Sequence, residues 1–261
     1  MTASDVLLRI AIALPLGLVF GSFLTVAVYR LPAGESLVRP RSGCRSCGTP
    51  LRAVDNVPLV SWLVLRGRCH HCGARIPAMY PLTELLCGGL FVAVALVYEE
   101  PWQAVLLAPF LGLLVAISVI DLREYRIPNR LVYPAVLVAA AFVVVGDLVG
   151  APLSASGAGI GLLAYGAGLL IVALIAPKGM GMGDVKLAGL IGLVLGAVDL
   201  PLVAVAAGAG ILLGGVGAIV AVLLGAGRKT RIPYGPFMAG GAAIAVFVGD
   251  AVVDAYLSLL A

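Results

Sequence analysis

Trp102-Gln-Ala-Val-Leu-Leu-Ala-Pro-Phe-Leu-Gly-Leu-Leu-Val-Ala-Ile-Ser-Val-Ile120 runs for nineteen residues without an acidic or basic side chain, and Asp121 follows at once. Coiled as an α-helix, such a run reaches roughly 28 Å, the thickness of a bilayer's hydrocarbon core. It does not alternate polar with apolar residues, so it reads as a spanning helix and not as a barrel strand. Eight stretches in all qualify: near Val6–Val28, Pro81–Tyr98, Trp102–Ile120, Leu131–Val145, Gly157–Ala176, Val185–Val198, Pro201–Leu224 and Pro236–Leu257. The fourth and sixth are the shortest. Composition agrees, with 62% hydrophobic and 11% charged residues among 261. A soluble domain carries about 25% charged residues. The 34 glycines suit helices that approach closely within lipid. The fold class expected is an all-α polytopic membrane protein of about eight transmembrane helices.

The basic residues orient those spans. Arg30, Arg39, Arg41, Arg45, Arg52, Arg66, Arg68 and Arg75 lie between the first two runs. Arg123, Arg126 and Arg130 follow the third, Lys178 and Lys186 flank the connection from fifth to sixth, and Arg228, Lys229 and Arg231 follow the seventh. These are sixteen of the seventeen Lys and Arg residues. With eight spans, all four segments fall on one side, which the positive-inside rule makes cytoplasmic, and both termini fall outside. The opposite connections carry Glu99, Glu100, Asp147 and Asp199 and no Lys or Arg. Asp5 and Arg9 in an overlong first run argue for a span and against a cleaved signal peptide. The net charge of +4 sits in short loops with no basic face and interleaved aromatics, which excludes nucleic acid as a partner and leaves membrane lipid.

Residues 30–80 stand apart as a cytoplasmic insertion too small to bury a large core of its own. Cys44-Arg-Ser-Cys47 and Cys69-His-His-Cys72 form two CxxC pairs with 21 residues between Cys47 and Cys69. Gly48 and Gly73 follow the pairs and suit tight turns. Four thiolates complete a tetrahedral Zn²⁺ site with no open position, so the metal would be structural. The spacing lies just outside the usual zinc-ribbon window. Two disulfides, or His70 or His71 replacing a sulfur, are the alternatives; a reducing cytoplasm disfavours the first. Cys87, inside the second run, reads as a small buried hydrophobe.

Two acids sit at membrane edges on the same side. Asp121-Leu-Arg-Glu-Tyr-Arg-Ile-Pro-Asn129 closes the third run, and Gly179-Met-Gly-Met-Gly-Asp184 opens the sixth. An acid at this depth is costly and usually functional. A carboxyl pair sharing a proton can hydrolyse an amide bond: the ionised member deprotonates a water while the protonated one donates to the scissile carbonyl. The plainer reading makes Asp121 a headgroup anchor and Asp184 a helix cap.

In order along the chain, these motifs resemble the bacterial type IV prepilin peptidases, bifunctional leader peptidase/N-methyltransferases of the GxGD class of intramembrane aspartyl proteases. The resemblance runs over essentially the whole chain. It takes in Gly21-Ser-Phe-Leu-Thr-Val-Ala-Val-Tyr-Arg-Leu-Pro32, the CxxC pairs with Asp55-Asn-Val-Pro-Leu-Val-Ser-Trp62 between them, Tyr80-Pro-Leu-Thr-Glu84, the two aspartate motifs and Ile232-Pro-Tyr-Gly-Pro-Phe237. It implies Asp121 and Asp184 as the catalytic pair, and prepilins or pseudopilins of type IV pilus and type II secretion systems as substrates. Cleavage would follow the leader's final glycine at the inner membrane, with methylation of the new amine by S-adenosylmethionine. Glu84 is the candidate for holding that amine; its alternative is a buried acid paired with an arginine. Glu35, Asp55, Glu84 and Glu124 are the acids available to attract a basic leader.

The resemblance implies three parts: a first transmembrane helix over 1–29, the Cys₄ zinc module with the methyltransferase part over 30–80, and a transmembrane aspartyl peptidase over 81–261. Thr25 stands where the family usually has Asn, and Arg45 where it usually has Pro; the zinc ligands are untouched by either departure. No glycine-rich Rossmann loop is present for the adenosyl group. The competing functions are a proton-coupled transporter, which calls for inverted repeats and acids near mid-membrane, and an inactive zinc-module scaffold for pilus assembly.

Overall fold

The computed structural model describes residues 2–176, 180–225, 227 and 232–259. Lys178, Gly179, Arg228, Lys229 and Arg231, named above among the basic and glycine positions, lie outside the described residues. The chain divides into two units, Met1–Leu96 and Val97–Ala261. Among the described residues there is no strand; pairing is confined to the isolated bridges Gly43–Pro50 and Arg68–Arg75.

The first unit holds α1 (Ala3–Arg30), a 3₁₀ turn (Ala53–Asn56), the short α2 (Val60–Val64) and α3 (Met79–Val97). Thr2 and Asp5 cap α1 reciprocally: the Asp5 amide donates to the Thr2 hydroxyl, and the Thr2 amide to the Asp5 carboxylate. Helices α1 and α3 meet on small residues. A Cβ at Gly17 would fall 2.8 Å from the Cys87 carbonyl oxygen, and one at Gly21 2.8 Å from Cα of Glu84. Larger side chains would hold these backbones apart. Phe20 and Phe91 pack beside that seam with ring centroids 5.5 Å apart.

The second unit holds α4 (Pro101–Glu124), α5 (Asn129–Leu148), α6 (Ala155–Ile175), α7 (Met182–Val198), α8 (Pro201–Leu223) and α9 (Gly235–Ser258). Helices α4 and α8 start on proline, which lacks the amide that a first turn leaves unpaired. Ser154 caps α6 by accepting from the Gly157 amide. Tyr125 ends α4 in the left-handed conformation, its amide donating to the Asp121 carbonyl.

All eight apolar stretches are helices with boundaries within a few residues of those expected. Seven are long and apolar enough to cross a membrane. The eighth, α7, has 17 residues and spans only about 25 Å. Its neighbours are α4, α5, α6, α8 and α9, and most of its side chains are buried. A helix wrapped in protein need not match the bilayer's thickness. Glycines make its tightest contact: a Cβ at Gly161 of α6 would strike the Gly192 carbonyl of α7, and a Cβ at Gly192 would strike that of Gly161. Helix α7 is thereby fixed in depth, and Asp184 with it.

Candidate functional site

Asp121 lies in the last turn of α4 and is buried, only 5% exposed. Its Oδ2 accepts a hydrogen bond of 2.9 Å from the amide of Gly235, 114 residues away at the start of α9. That approach requires glycine, because a Cβ at position 235 would lie 2.8 Å from the same oxygen. Asp184 sits in the first turn of α7, half-buried, and its Oδ2 accepts from the Gly181 amide at 3.1 Å. An acid there is favoured by the helix's N-terminal partial charge.

Both carboxylates line one open cleft of about 330 Å³, together with Tyr125, Arg126, Ile127, Asn129, Gly181, Gly183 and Lys186. The Asp121 charge acts on Asp184. Lys186 fastens the two motifs by donating 3.0 Å to Asn129 Oδ1, and its ammonium sits 5.2 Å from the Tyr133 ring centre. Gly183 lies under Ile127, where a Cβ would be 3.0 Å from that of Ile127. Arg126 and Lys186 set two cations beside the two acids in the same cleft. The arrangement offers two acids within electrostatic reach, each steadied by one backbone donor, beside room for a peptide bond and a water.

In the first unit the two cysteine pairs are built alike. The Cys44 amide donates to the Thr49 carbonyl (2.9 Å) and the Gly48 amide to Cys44 (2.8 Å); Cys69 with Ala74 (2.8 Å) and Gly73 with Cys69 (3.0 Å) repeat the turn. Gly48 and Gly73 take φ of +73° and +70°, the left-handed region that glycine enters freely. All four thiols are free, and their sulfurs lie within 4.8 Å of one another, Cys44 and Cys72 at 3.8 Å. Tetrahedral Zn²⁺ with bonds of about 2.3 Å separates its sulfurs by about 3.8 Å, so the donor set fits that ion. The Cys47 and Ser46 amides hold the Cys44 thiol below its ordinary value, as those of Cys72 and His71 do for Cys69. Among the described residues neither His70 nor His71 joins the cluster.

Glu84 is buried in the first turns of α3, and its Oε2 accepts from the Leu59 amide at 2.7 Å. Among the described residues its partner is that amide and not an arginine. Thr25 is also buried, its hydroxyl turned back onto the Gly21 carbonyl at 2.7 Å. Of the acids considered for attracting a cationic peptide, Asp55 is already gripped by Arg52 through two bonds of 2.7 and 2.9 Å. The Gly235 amide and the Lys186–Asn129 bond were not legible as parts of a site. The Ile232–Phe237 stretch stood out in the sequence, but nothing in it pointed to Asp121.

The bacterial peptidase A24 N-terminal domain matches residues 16–98, and the type IV leader peptidase family matches residues 107–226. A prepilin leader peptidase/N-methyltransferase of Bacillus subtilis (strain 168) is 33% identical over 93% of this chain and 96% of its own. Those of Stutzerimonas stutzeri and Pseudomonas putida are 34% and 36% identical, covering 98% and 96% of this chain and 96% and 94% of theirs. No solved structure matches the chain. Two family models in sequence and full-length similarity above 30% leave one assignment: the chain belongs to the type IV leader peptidase family.

Proposed function

We propose that this chain cuts the short basic leader from prepilins or pseudopilins after its final glycine, using Asp121, Asp184 and a water molecule at the cytoplasmic face of the inner membrane. Family membership supplies the enzyme class, a multi-pass membrane prepilin peptidase that is also an N-methyltransferase. The observation that carries the mechanism is the shared cleft, in which α4 and α7 present one acid each. Asp121 is the more buried and receives a single amide donor. Asp184 is half-exposed at a helix N-terminus, the better place for a negative charge. We therefore assign Asp184 as the base that takes the water's proton and Asp121 as the acid that donates to the scissile carbonyl. Asp121 next withdraws the proton on the tetrahedral intermediate's oxygen, Asp184 protonates the leaving nitrogen, and the C–N bond breaks.

The face follows from charge. Every described Lys or Arg of the second unit lies at the end that carries Asp121 and Asp184, as the positive-inside rule requires of a cytoplasmic side. The Cys₄ module over 30–80 is assigned as a structural zinc site, held by Cys44, Cys47, Cys69 and Cys72. S-adenosylmethionine would supply a methyl group on an electrophilic sulfonium. Glu84 has one oxygen committed to Leu59 and, among the described residues, no hydrogen bond to the other, which suits it to accept from the N-terminal amine that is methylated.

The test is cleavage of a purified prepilin by the detergent-solubilised protein, with the junction read by mass spectrometry. Wild-type protein should cut after the final glycine and Asp184→Asn should not. Full cleavage by that variant would remove the assignment.

A further inference from the structure

Tyr165 lies midway along α6 and is 4% exposed, yet its hydroxyl has no hydrogen-bond partner, the only such buried side-chain atom among the described residues. An unsatisfied buried hydroxyl costs stability that phenylalanine at the same place would not. Its surroundings say where the missing partner belongs. Gly166, the next residue, packs on α7, with a Cβ there 3.1 Å from Cα of Gly189. The hydroxyl reaches across to α8, 3.7 Å from a Cβ built on Gly210, and that same position is 3.5 Å from the Phe237 carbonyl at the start of α9. Tyr234 and, after it, Asp184 are titratable groups near enough for their charge to reach Tyr165. Helix α8 has no titratable side chain, and α5 carries Arg130, Tyr133 and Asp147. Tyr234 immediately precedes Gly235, the donor to Asp121. The orphaned hydroxyl therefore sits among the elements that carry both aspartates.

We propose that Tyr165 is a positioning residue for the peptidase reaction: its hydroxyl donates to a water shared with Asp184 and Tyr234, and so steadies the Asp184 carboxylate from the side that Gly181 does not reach. Such a water has three polar partners, the usual number for a buried one. The inference rests on the peptidase reading above.

Tyr165→Phe keeps the ring and its packing and deletes only the hydroxyl. In prepilin cleavage by the full chain in detergent, kcat should fall about tenfold with KM unchanged, as loss of one hydrogen bond in the transition state predicts. Removing a donor to a carboxylate disfavours its ionised form, so the acid limb of the pH–rate profile should move to higher pH. The melting temperature should hold or rise. Wild-type kcat and an unmoved acid limb would overturn the inference while Asp184→Asn remains inactive and the peptidase reading stands. A lower kcat accompanied by a lower melting temperature, with the acid limb unmoved, would assign the hydroxyl to the fold alone and overturn it too. A wild-type protein that does not cleave would overturn both.

Discussion

The cysteine module and the aspartate cleft are built on opposite plans. Each cysteine pair comes from one turn of five residues, closed by its own amides and a left-handed glycine, and the two turns are copies of each other. The cleft has no local component of that kind. Asp121 and Asp184 are 63 positions apart, and the donor to Asp121 comes from a third helix 114 residues on. A site assembled from turns needs a metal to hold them together. One assembled from helix ends needs only that the helices keep their depth. The glycine seam of α6 and α7 supplies that for Asp184.

The largest effect expected from this contrast follows removal of the metal. Cys47→Ser, or stripping with a strong chelator, should take zinc from near one equivalent to none and expose residues 30–80 to protease. Structural zinc contributes on the order of 10 kcal/mol to small domains. The cleft holds no cysteine, so leader cleavage should survive within about tenfold. A zinc-free protein that keeps 30–80 protease-resistant would show that the two turns hold together without a metal.

Gly235→Ala probes the other end. Gly235 has no left-handed φ, so an alanine there meets Asp121 and not backbone strain. Displacing the carboxylate from its donor should cost about 2–3 kcal/mol, or roughly a hundredfold in kcat, with the melting temperature nearly unchanged. Unaltered kcat would show that the 2.9 Å bond does not set Asp121 for reaction.

A smaller effect is expected at Lys186→Met, which keeps an unbranched stem and removes the donor to Asn129. One such bond is worth about 1 kcal/mol. Cleavage efficiency should drop about fivefold, and the variant should remain folded by circular dichroism. An efficiency equal to wild type would mean that the two motifs need no fastening.

The same contrast explains what was legible in the sequence. Helix existence was, since a run such as Trp102–Ile120 has one physical solution in lipid. The cysteine turns were, because their ligands and glycines are neighbours. Helix ends were less so: α5 extends from Asn129 to Leu148 where the apolar run suggested Leu131–Val145. Its Pro128 cap starts it early, and helical hydrogen bonding continues past the last consecutive apolar residues. The two aspartates stand out by type and position, and Gly181 lies in the same motif as Asp184, but nothing in the sequence marks the donor to Asp121. A backbone amide carries no side-chain signature, so only the fold brings Gly235 to Asp121. Tyr165 lies inside an apolar run, and only its buried, unpaired hydroxyl distinguishes it.

Whether Asp121 and Asp184 act as one unit is decided by comparing single and double variants. Single-turnover cleavage of a prepilin should be measured with Asp121→Asn, Asp184→Asn and the pair combined, all in detergent and with zinc content verified. Residues that share one proton and one water are not additive. All three proteins should fall to the same floor, at least a thousandfold below wild type. Near-wild-type cleavage by either single variant, or a double variant slower than both singles by the product of their losses, would contradict a shared catalytic pair.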